Sequence, residues 1–388
     1  MTPAARVAAA ISILDEVIAG KATEAALLHW TRGSRFAGSK DRAAIRDLVF
    51  DARRKWSSCQ FIGGGVSGRR IMLGLLHQQD IDLNVLFSGD KYAPACLSYE
   101  EKAHLDEDQT LPPYTTADMQ PWVWARLSDQ YAEAAMPIAE ALRERAPVFI
   151  RVNTGKATKD AAILQLSQQG IETRATPICQ SALEVTAGAR KIRTSDAYLN
   201  GLIELQDAAS QALIEALPLH VGMQVLDFCA GGGGKSLAMA AVGANVTAYD
   251  IKAERMVDLP ARSRRAGVHI DTLDRLPKSS EAYHLVLCDA PCSGSGSWRR
   301  SPDGKWSLNE ARLGQLKAAQ LDVLKTAQNY VHPDGCLAYA TCSVLSEENE
   351  NTLDEFIRTS PEWSISNVRN WTPLDGADGF FLATLIRR

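Results

Sequence analysis

From residue 221 to the end, short apolar runs alternate with helical stretches, and this alternation constrains the fold more than any other feature. "MQVLDFCA", "NVTAYDI", "VHIDTL", "YHLVLCDA" and "CLAYATCS" read as strands. The segments between them carry helical spacing, most clearly "NEARLGQLKAAQLDVLKTAQNYV". Strands that alternate with helices predict a doubly wound, mostly parallel sheet. The tail "GFFLATLIRR" reads as one more strand, with the option of an antiparallel edge.

The rest of the chain is organised differently. Residues 1–95 read as helices, with "ARVAAAISILDEVIAG" ending on a glycine stop and "SKDRAAIRDLVFDARRKW" opening on a capping serine. Residues 98–118 are acidic and then proline-rich, which suggests a linker. Helical spacing resumes in "PWVWARLSDQYAEAAMPIAEALRE". "PVFIRVN", "TKDAAILQLSQQ", "ETRATPI" and "ALEVT" then alternate strand, helix and two strands, a small α+β unit. The domains expected are therefore 1–118, 119–200 and 201–388.

Composition removes several classes. The chain has 388 residues, 46% hydrophobic and 23% charged, as ordinary globular proteins do. Its first twenty residues interleave acids with short apolar pieces, so no secretory signal is expected there, and no apolar run reaches membrane-spanning length. Eight cysteines in such a chain suggest reduced thiols, and a cytoplasmic protein is expected. The Cys288–Cys292 spacing lacks a partner cluster of Cys or His, so no metal site is expected. Net charge is −4, yet residues 31–60 hold eight Lys or Arg against three Asp. That stretch, with Arg53, Arg54 and Lys55 at its end, reads either as a nucleic-acid footprint or as a solvated helix face.

Two motifs carry chemistry. "LDFCAGGGGKSLAMAA" sets Gly231, Gly232, Gly233 and Gly234 between a strand and a helix, where a ligand can approach the backbone closely. Asp250 ends the next strand and is placed to accept from ribose hydroxyls; Asp274 ends the third and faces the region of an adenine. The phosphate-loop spacing fails, because Cys229 stands where its first glycine belongs. An adenosyl ligand without phosphates remains. The second motif is a pair of thiols, Cys292 and Cys342, after the fourth and fifth strands. Neighbouring strands lie about 4.8 Å apart, so both sulfurs would meet at one crevice. A thiolate adding to C6 of a pyrimidine makes C5 nucleophilic, an acid such as Asp289 stabilises charge at N3, and a second thiol serves the release.

On "DFCAGGGGK", "DAPCSGSG", "WRRSPDGKW", "YATCS" and "GFFLATL", with "FIRVNT" and "ELQDAAS" upstream, the chain resembles the RNA cytosine-5 methyltransferases of the Sun/RsmB-like (NOP/NOL) group. More weakly, "RVAAAISILDEVI" and "GSKDRAAIRDLVFDARR" resemble a NusB-like helical RNA-binding domain. The resemblance implies a class I methyltransferase seven-stranded sheet, preceded by a ferredoxin-like subdomain and the helical domain. It implies S-adenosylmethionine held by Cys229, Ala230, Gly231 to Gly234, Lys235, Asp250, Asp274 and Asp289. It makes Cys342 the nucleophile and Cys292 the residue that assists release, with Asp289 and Lys235 beside them. It implies an RNA partner, ribosomal in particular, touched by Arg151, Asn153, Arg299, Arg300, Arg53 and Arg54, and a monomer. One departure stands out: Gly231 and Gly232 replace the family's Ala-Pro, which should loosen the loop backbone. Two other readings are an inactive RNA-binding assembly factor, which the presence of both thiols opposes, and a nicotinamide oxidoreductase, which the absence of a clean GxGxxG opposes.

Overall fold

The computed structural model describes residues 1–277 and 283–388. The chain divides into two compact units. One joins Met1–Arg145 with Trp298–Ser307; the other joins Ala146–Ser297 with Leu308–Arg388.

The second unit holds two sheets. In the smaller one, β1 (Val148–Val152), β2 (Glu172–Ala175), β3 (Ala182–Ala187) and β4 (Ile203–Leu205) run in the order β2-β3-β1-β4, antiparallel throughout. Helix Lys159–Gln168 covers it, and Ile150, Val152, Leu166, Leu183 and Ile203 form its core. The strand β4 comes from "IEL", too short to show a period in sequence.

The larger sheet contains β5 (Gln224–Asp227), β6 (Asn245–Tyr249), β7 (Ile270–Leu273), β8 (Tyr283–Asp289), β9 (Val331–Thr341), β10 (Trp363–Trp371) and β11 (Phe380–Arg387). Its order is β10-β11-β9-β8-β5-β6-β7, with β5 to β9 parallel and β11 antiparallel to both its neighbours. The seven-stranded, mostly parallel expectation holds. The tail strand is antiparallel but interior, because β10 pairs outside it along Trp363–Trp371. That edge strand alternates weakly and is solvated along most of its length, so its sequence, "WSISNVRNW", carries no core signal. The central strands are buried on both faces: Leu285 and Leu287 enter one core, Val286 and Cys288 the other. The chain leaves β5 toward β6 and β7, then returns to β8 and β9 on the other side. The strand order therefore reverses between β5 and β8, where open sheets of this kind bind ligands.

The first unit is helical, and two expectations fail in it. Residues 98–118 are not a loose linker. Ser98 and Glu101 form a capping box on helix Tyr99–Leu105, and Glu101, buried, pairs with Arg69 at 2.7 Å. Asp118 is fully buried, accepts from Ser58 N and pairs with Arg143 at 2.6 Å. The basic stretch is also not a free surface at its end. Arg53 and Arg54 are each only 7% exposed. Arg53 donates to Asp303 at 2.9 Å, and Arg54 donates to the Arg299 carbonyl at 2.7 Å. Lys55 pairs with Glu144.

The segment Trp298–Ser307, expected to meet RNA, is instead part of this unit's interior. Trp298, Arg299 and Lys305 are buried. Lys305 donates to the Arg54 carbonyl, and Trp306 donates to the Arg53 carbonyl. Burial pulls the Lys305 pKa down to about 7. Arg53, Arg54 and Arg299 are thus packing residues, and only Arg300 of the group is exposed. Asp303 also accepts from the backbone and hydroxyl of Thr23, which is itself fully buried. Asp303→Ala should leave Arg53 and Thr23 without an acceptor and destabilise this unit by roughly 2–4 kcal/mol. Urea denaturation read by tryptophan fluorescence checks it; an unchanged midpoint would refute the packing role.

Candidate functional site

Three strand ends converge at the reversal point. After β5, Gly231 and Gly233 adopt φ of +53° and +77°, which a side chain rarely tolerates. A Cβ on Gly233 would sit 2.3 Å from Leu259 Cδ1. Helix Gly234–Ala241 then begins, with no side chain capping its first turn. Its first N–H groups are left for a ligand or water.

Asp250, after β6, is 2% exposed and pins this loop. Its Oδ2 accepts from Gly231 N at 2.8 Å and Arg255 Nη1 at 3.0 Å; its Oδ1 accepts from Lys252 N at 2.9 Å. A carboxylate offers about four lone-pair sites, so one remains. The glycine substitutions have a structural counterpart. A Cβ on Gly231 would lie 2.9 Å from Arg255 Nη2, and one on Gly232 would lie 3.3 Å from Arg262 Nη1. Arg262 also donates to the Gly232 carbonyl. The expected loosening is therefore countered: two guanidinium groups brace the loop where the missing side chains would stand.

Asp227, at the end of β5, is fully buried, and burial lifts its pKa to about 7. Its Oδ2 accepts from Ser236 Oγ at 2.5 Å, while its Oδ1 has no partner among the described residues. A buried acceptor left open beside a glycine loop suits a ligand that brings a donor. Cys229 and Ala230 lie in the same loop, and burial pushes the Cys229 thiol up. Asp274 follows β7 and is exposed, with no partner among the described residues; nothing in the structure fixes its carboxylate.

Past β8, Asp289 accepts from Lys235 Nζ at 2.7 Å. Burial works against the Lys235 charge, but the Asp289 carboxylate overrides it and holds the ammonium above its ordinary pKa. Cys292 and Cys342 come together at 3.3 Å between sulfurs. Their surroundings differ. Cys342 is drawn below the usual thiol range by the hydrogen bond from Cys292, with further help from Lys235 and Ser297. Cys292 is pushed up by that same bond, by burial and by Glu348. Of the two, Cys342 is the one whose surroundings favour ionisation, and Cys292 the one whose surroundings oppose it. Burial raises Cys59, Cys179, Cys229, Cys288 and Cys336, so these thiols are inert.

Glu348 holds both cysteine loops, and no sequence argument singled it out. It is fully buried. Its carboxylate accepts from Ser293 N at 2.7 Å beside Cys292 and from Ser343 Oγ at 2.6 Å beside Cys342. Gln320 donates both to Glu348 and to the Pro291 carbonyl. Asn349 accepts from Thr341 Oγ1 and donates to the Ser343 carbonyl. The one sequence signal of Glu348 is position, six residues past the Thr-Cys thiol.

Asn153 was expected to contact RNA; both N–H groups of its amide are committed within the protein. Buried, it donates to the Gly201 carbonyl at 3.1 Å and the Ala266 carbonyl at 2.8 Å. It is a strut that ties β1 to the helix Leu259–Ala266.

A doubly wound sheet with a glycine loop after its first parallel strand and an acid after its second has the frame of the class I methyltransferases. The comparisons agree. Residues 214–386 match the family described as 16S rRNA methyltransferase RsmB/F, and residues 120–190 match its ferredoxin-like domain. Together these spans take in more than half the chain. Ribosomal RNA small subunit methyltransferase B of Klebsiella pneumoniae subsp. pneumoniae is 30% identical over 69% of this chain, and the matched part is 65% of that relative. The Salmonella arizonae protein of the same name is 30% identical over 69% of the chain and 66% of the relative. The chain thus spans just under two thirds of the curated relatives it matches. In fold it is similar to the crystal structure of PH0851, with a TM-score of 0.76 at 21% identity over 100% of this chain and 99% of that one. It is also similar to NSun6 from Pyrococcus horikoshii, solved with SFG, with a TM-score of 0.61 at 16% identity over 69% and 98%. The chain belongs to the RsmB/F methyltransferase family.

The thiol asymmetry is measurable. At pH 7.5, iodoacetamide should modify Cys342 well before Cys292, as read by peptide mass spectrometry. Equal rates, or a faster Cys292, would reverse the assignment.

Proposed function

We propose that this protein methylates C5 of cytosine in RNA, ribosomal RNA first, through a covalent bond between Cys342 and C6. The observation that carries this reading is the pair of cysteine sulfurs, 3.3 Å apart, at the ligand edge of a methyltransferase sheet. The ribosomal assignment rests on the names of the relatives alone. S-adenosylmethionine, when bound, would supply an electrophilic methyl group. The residues fit it: Asp250 keeps a free acceptor site for ribose, the loop of Cys229 to Gly234 admits a close backbone approach, and Asp227 holds an open buried acceptor. NSun6 of the same fold was solved with SFG, an analogue of that cofactor.

The chain's own residues then do four things. Cys342 Sγ forms a bond to C6, and the displaced π electrons move into the ring toward N3. The Lys235–Asp289 pair, charged and at 2.7 Å, is the local source of a proton or hydrogen bond for N3. The ring so activated has a nucleophilic C5. After methylation, loss of the C5 proton and return of its electron pair to the C5–C6 bond expel Cys342 as thiolate. Cys292, beside the leaving sulfur, serves that last step: once its own proton has passed to solvent, its thiolate takes the C5 proton. Cytosine must lie outside any helix to reach these sulfurs.

Two experiments test this. Cys342→Ala should abolish methylation of unmodified small-subunit RNA, because the adduct cannot form. Cys292→Ala should still form the adduct and then accumulate a protein–RNA conjugate stable in denaturing gels, absent from the double variant. A conjugate trapped by Cys342→Ala instead would reverse the roles, and none from either would end the covalent reading. For the cofactor, Asp250→Ala should weaken S-adenosylmethionine by roughly 1.5–3 kcal/mol, about ten- to hundred-fold by calorimetry. Unchanged affinity would remove Asp250 from the site.

A further inference from the structure

Arg151 stands apart from the other arginines expected to meet RNA. It lies on β1, in register with Ala182 of β3 and Glu204 of β4. Its neighbours Ile150 and Val152 enter the small sheet's core, so strand alternation turns Arg151 to the opposite face. There it is 7% exposed, and its Nε and Nη1 have no hydrogen-bond partner among the described residues. Burial draws its pKa down to about 10, which still leaves it charged at neutral pH. Glu204 opposes that charge, but its oxygens are committed to Arg265 at 2.6 Å and Arg262 at 3.4 Å. A buried guanidinium with open donors is costly, and such groups persist where something else accepts from them.

A cavity of about 310 Å³ adjoins it. Arg151, Thr154, Gln180, Ser181, Gln211 and Glu215 supply its polar lining. The helices Ala208–Glu215 and Gly234–Ala241 close the rest with aliphatic side chains. Most acceptor sites in the lining are already taken. Glu215 accepts from Cys179 Sγ at 3.0 Å, Gln180 N at 3.1 Å and Ser181 N at 3.2 Å. Gln211 Oε1 accepts from Ser181 Oγ at 3.0 Å, and Gln211 Nε2 donates to the Gln206 carbonyl at 2.9 Å. What remains open is the guanidinium, whose Nε and Nη1 find no acceptor among the described residues. Its complement is a group that only accepts, carries negative charge and presents more than one oxygen.

We infer that this cavity is a binding site for a phosphate-type oxyanion, seated on Arg151. Free phosphate and a phosphate of the RNA backbone share this chemistry; the second source rests on the reading that RNA is the substrate. The site is built on the small sheet and shares no residue with the thiol pair or the Asp250 loop.

The test uses the full chain and two probes. Inorganic phosphate, against chloride at equal ionic strength, should raise the melting temperature of the wild type. Arg151→Met should lose that response, and Arg151→Lys, which keeps charge without the fork, should keep only part of it. With a single-stranded RNA oligonucleotide, Arg151→Met should flatten the slope of log affinity against log salt by about one charge. A phosphate response without a slope change assigns the site to the free anion; a slope change assigns it to the RNA backbone. Identical melting in phosphate and chloride for the wild type, with an unchanged slope, overturns the inference and leaves a cavity filled by water. Should Arg151→Met fail to fold, the wild type and Arg151→Lys still decide between these outcomes. Failure of methylation in the same preparations would leave the phosphate arm untouched, so the two readings fail separately.

Discussion

The buried carboxylate of Glu348 is the interaction on which the reactive geometry depends. Neither cysteine lies within a strand: Cys292 follows β8 by three residues and Cys342 follows β9 by one. Strand pairing brings the ends together, since Asp289 lies in register with Ala340. It does not fix what happens beyond them. Glu348 does, by accepting from Ser293 N and Oγ next to one thiol and from Ser343 Oγ next to the other. Gly296 N, which donates to the Cys342 carbonyl at 3.0 Å, adds a backbone tie. The weak hydrogen bond between the two sulfurs does not by itself hold the two loops together. They are held by a charge-assisted network, whose bonds are roughly twice as strong as neutral ones. The hydrogen bond between the thiols is the main source of their asymmetry; burial and Glu348 add to it at Cys292, and Lys235 and Ser297 add to it at Cys342. Position and ionisation thus come from the same few residues.

Much of this was legible in sequence. The parallel core was, because buried parallel strands must be continuous apolar runs and helices must separate them. The thiol pair was, because a cysteine at a strand's carboxyl end lands where such sheets bind ligands. What was hidden had a common cause: side chains whose composition suggests solvent but whose partners come from far along the chain. Glu348 reads as a surface acid until Ser293 is placed beside it. Arg53 and Arg54 read as a basic patch until Asp303 and the Arg299 carbonyl arrive from some 250 positions away. The edge strand Trp363–Trp371 was missed for the opposite reason, since one exposed strand paired on one side needs no apolar face.

The glycine loop shows how a departure from a family pattern can be offset locally. Proline restricts the backbone and removes a donor; glycine does neither. With Gly231 and Gly232 in place, Arg262 supplies a hydrogen bond to the Gly232 carbonyl, and Arg255 lies against Gly231 while pairing with Asp250. Both arginines need the space that a Cβ would fill. Backbone freedom and side-chain bracing therefore meet at the same two positions, and restoring the alanine or proline would oblige the arginine tips to shift.

The route of the chain adds a constraint on how the helical unit is completed. After Ser297 the polypeptide leaves the sheet-bearing unit, contributes Trp298–Ser307 to the helical one, and returns at Leu308. Those ten residues are structural for the unit that receives them. Asp303 is the acceptor for buried Thr23 and Arg53, Lys305 donates to the Arg54 carbonyl, and Gln120 donates to the Lys305 carbonyl. The helical unit therefore cannot satisfy its own buried polar groups from residues 1–145 alone. Its interior closes only after nearly 300 residues have been joined. The segment that closes it begins six residues past Cys292 in the sequence.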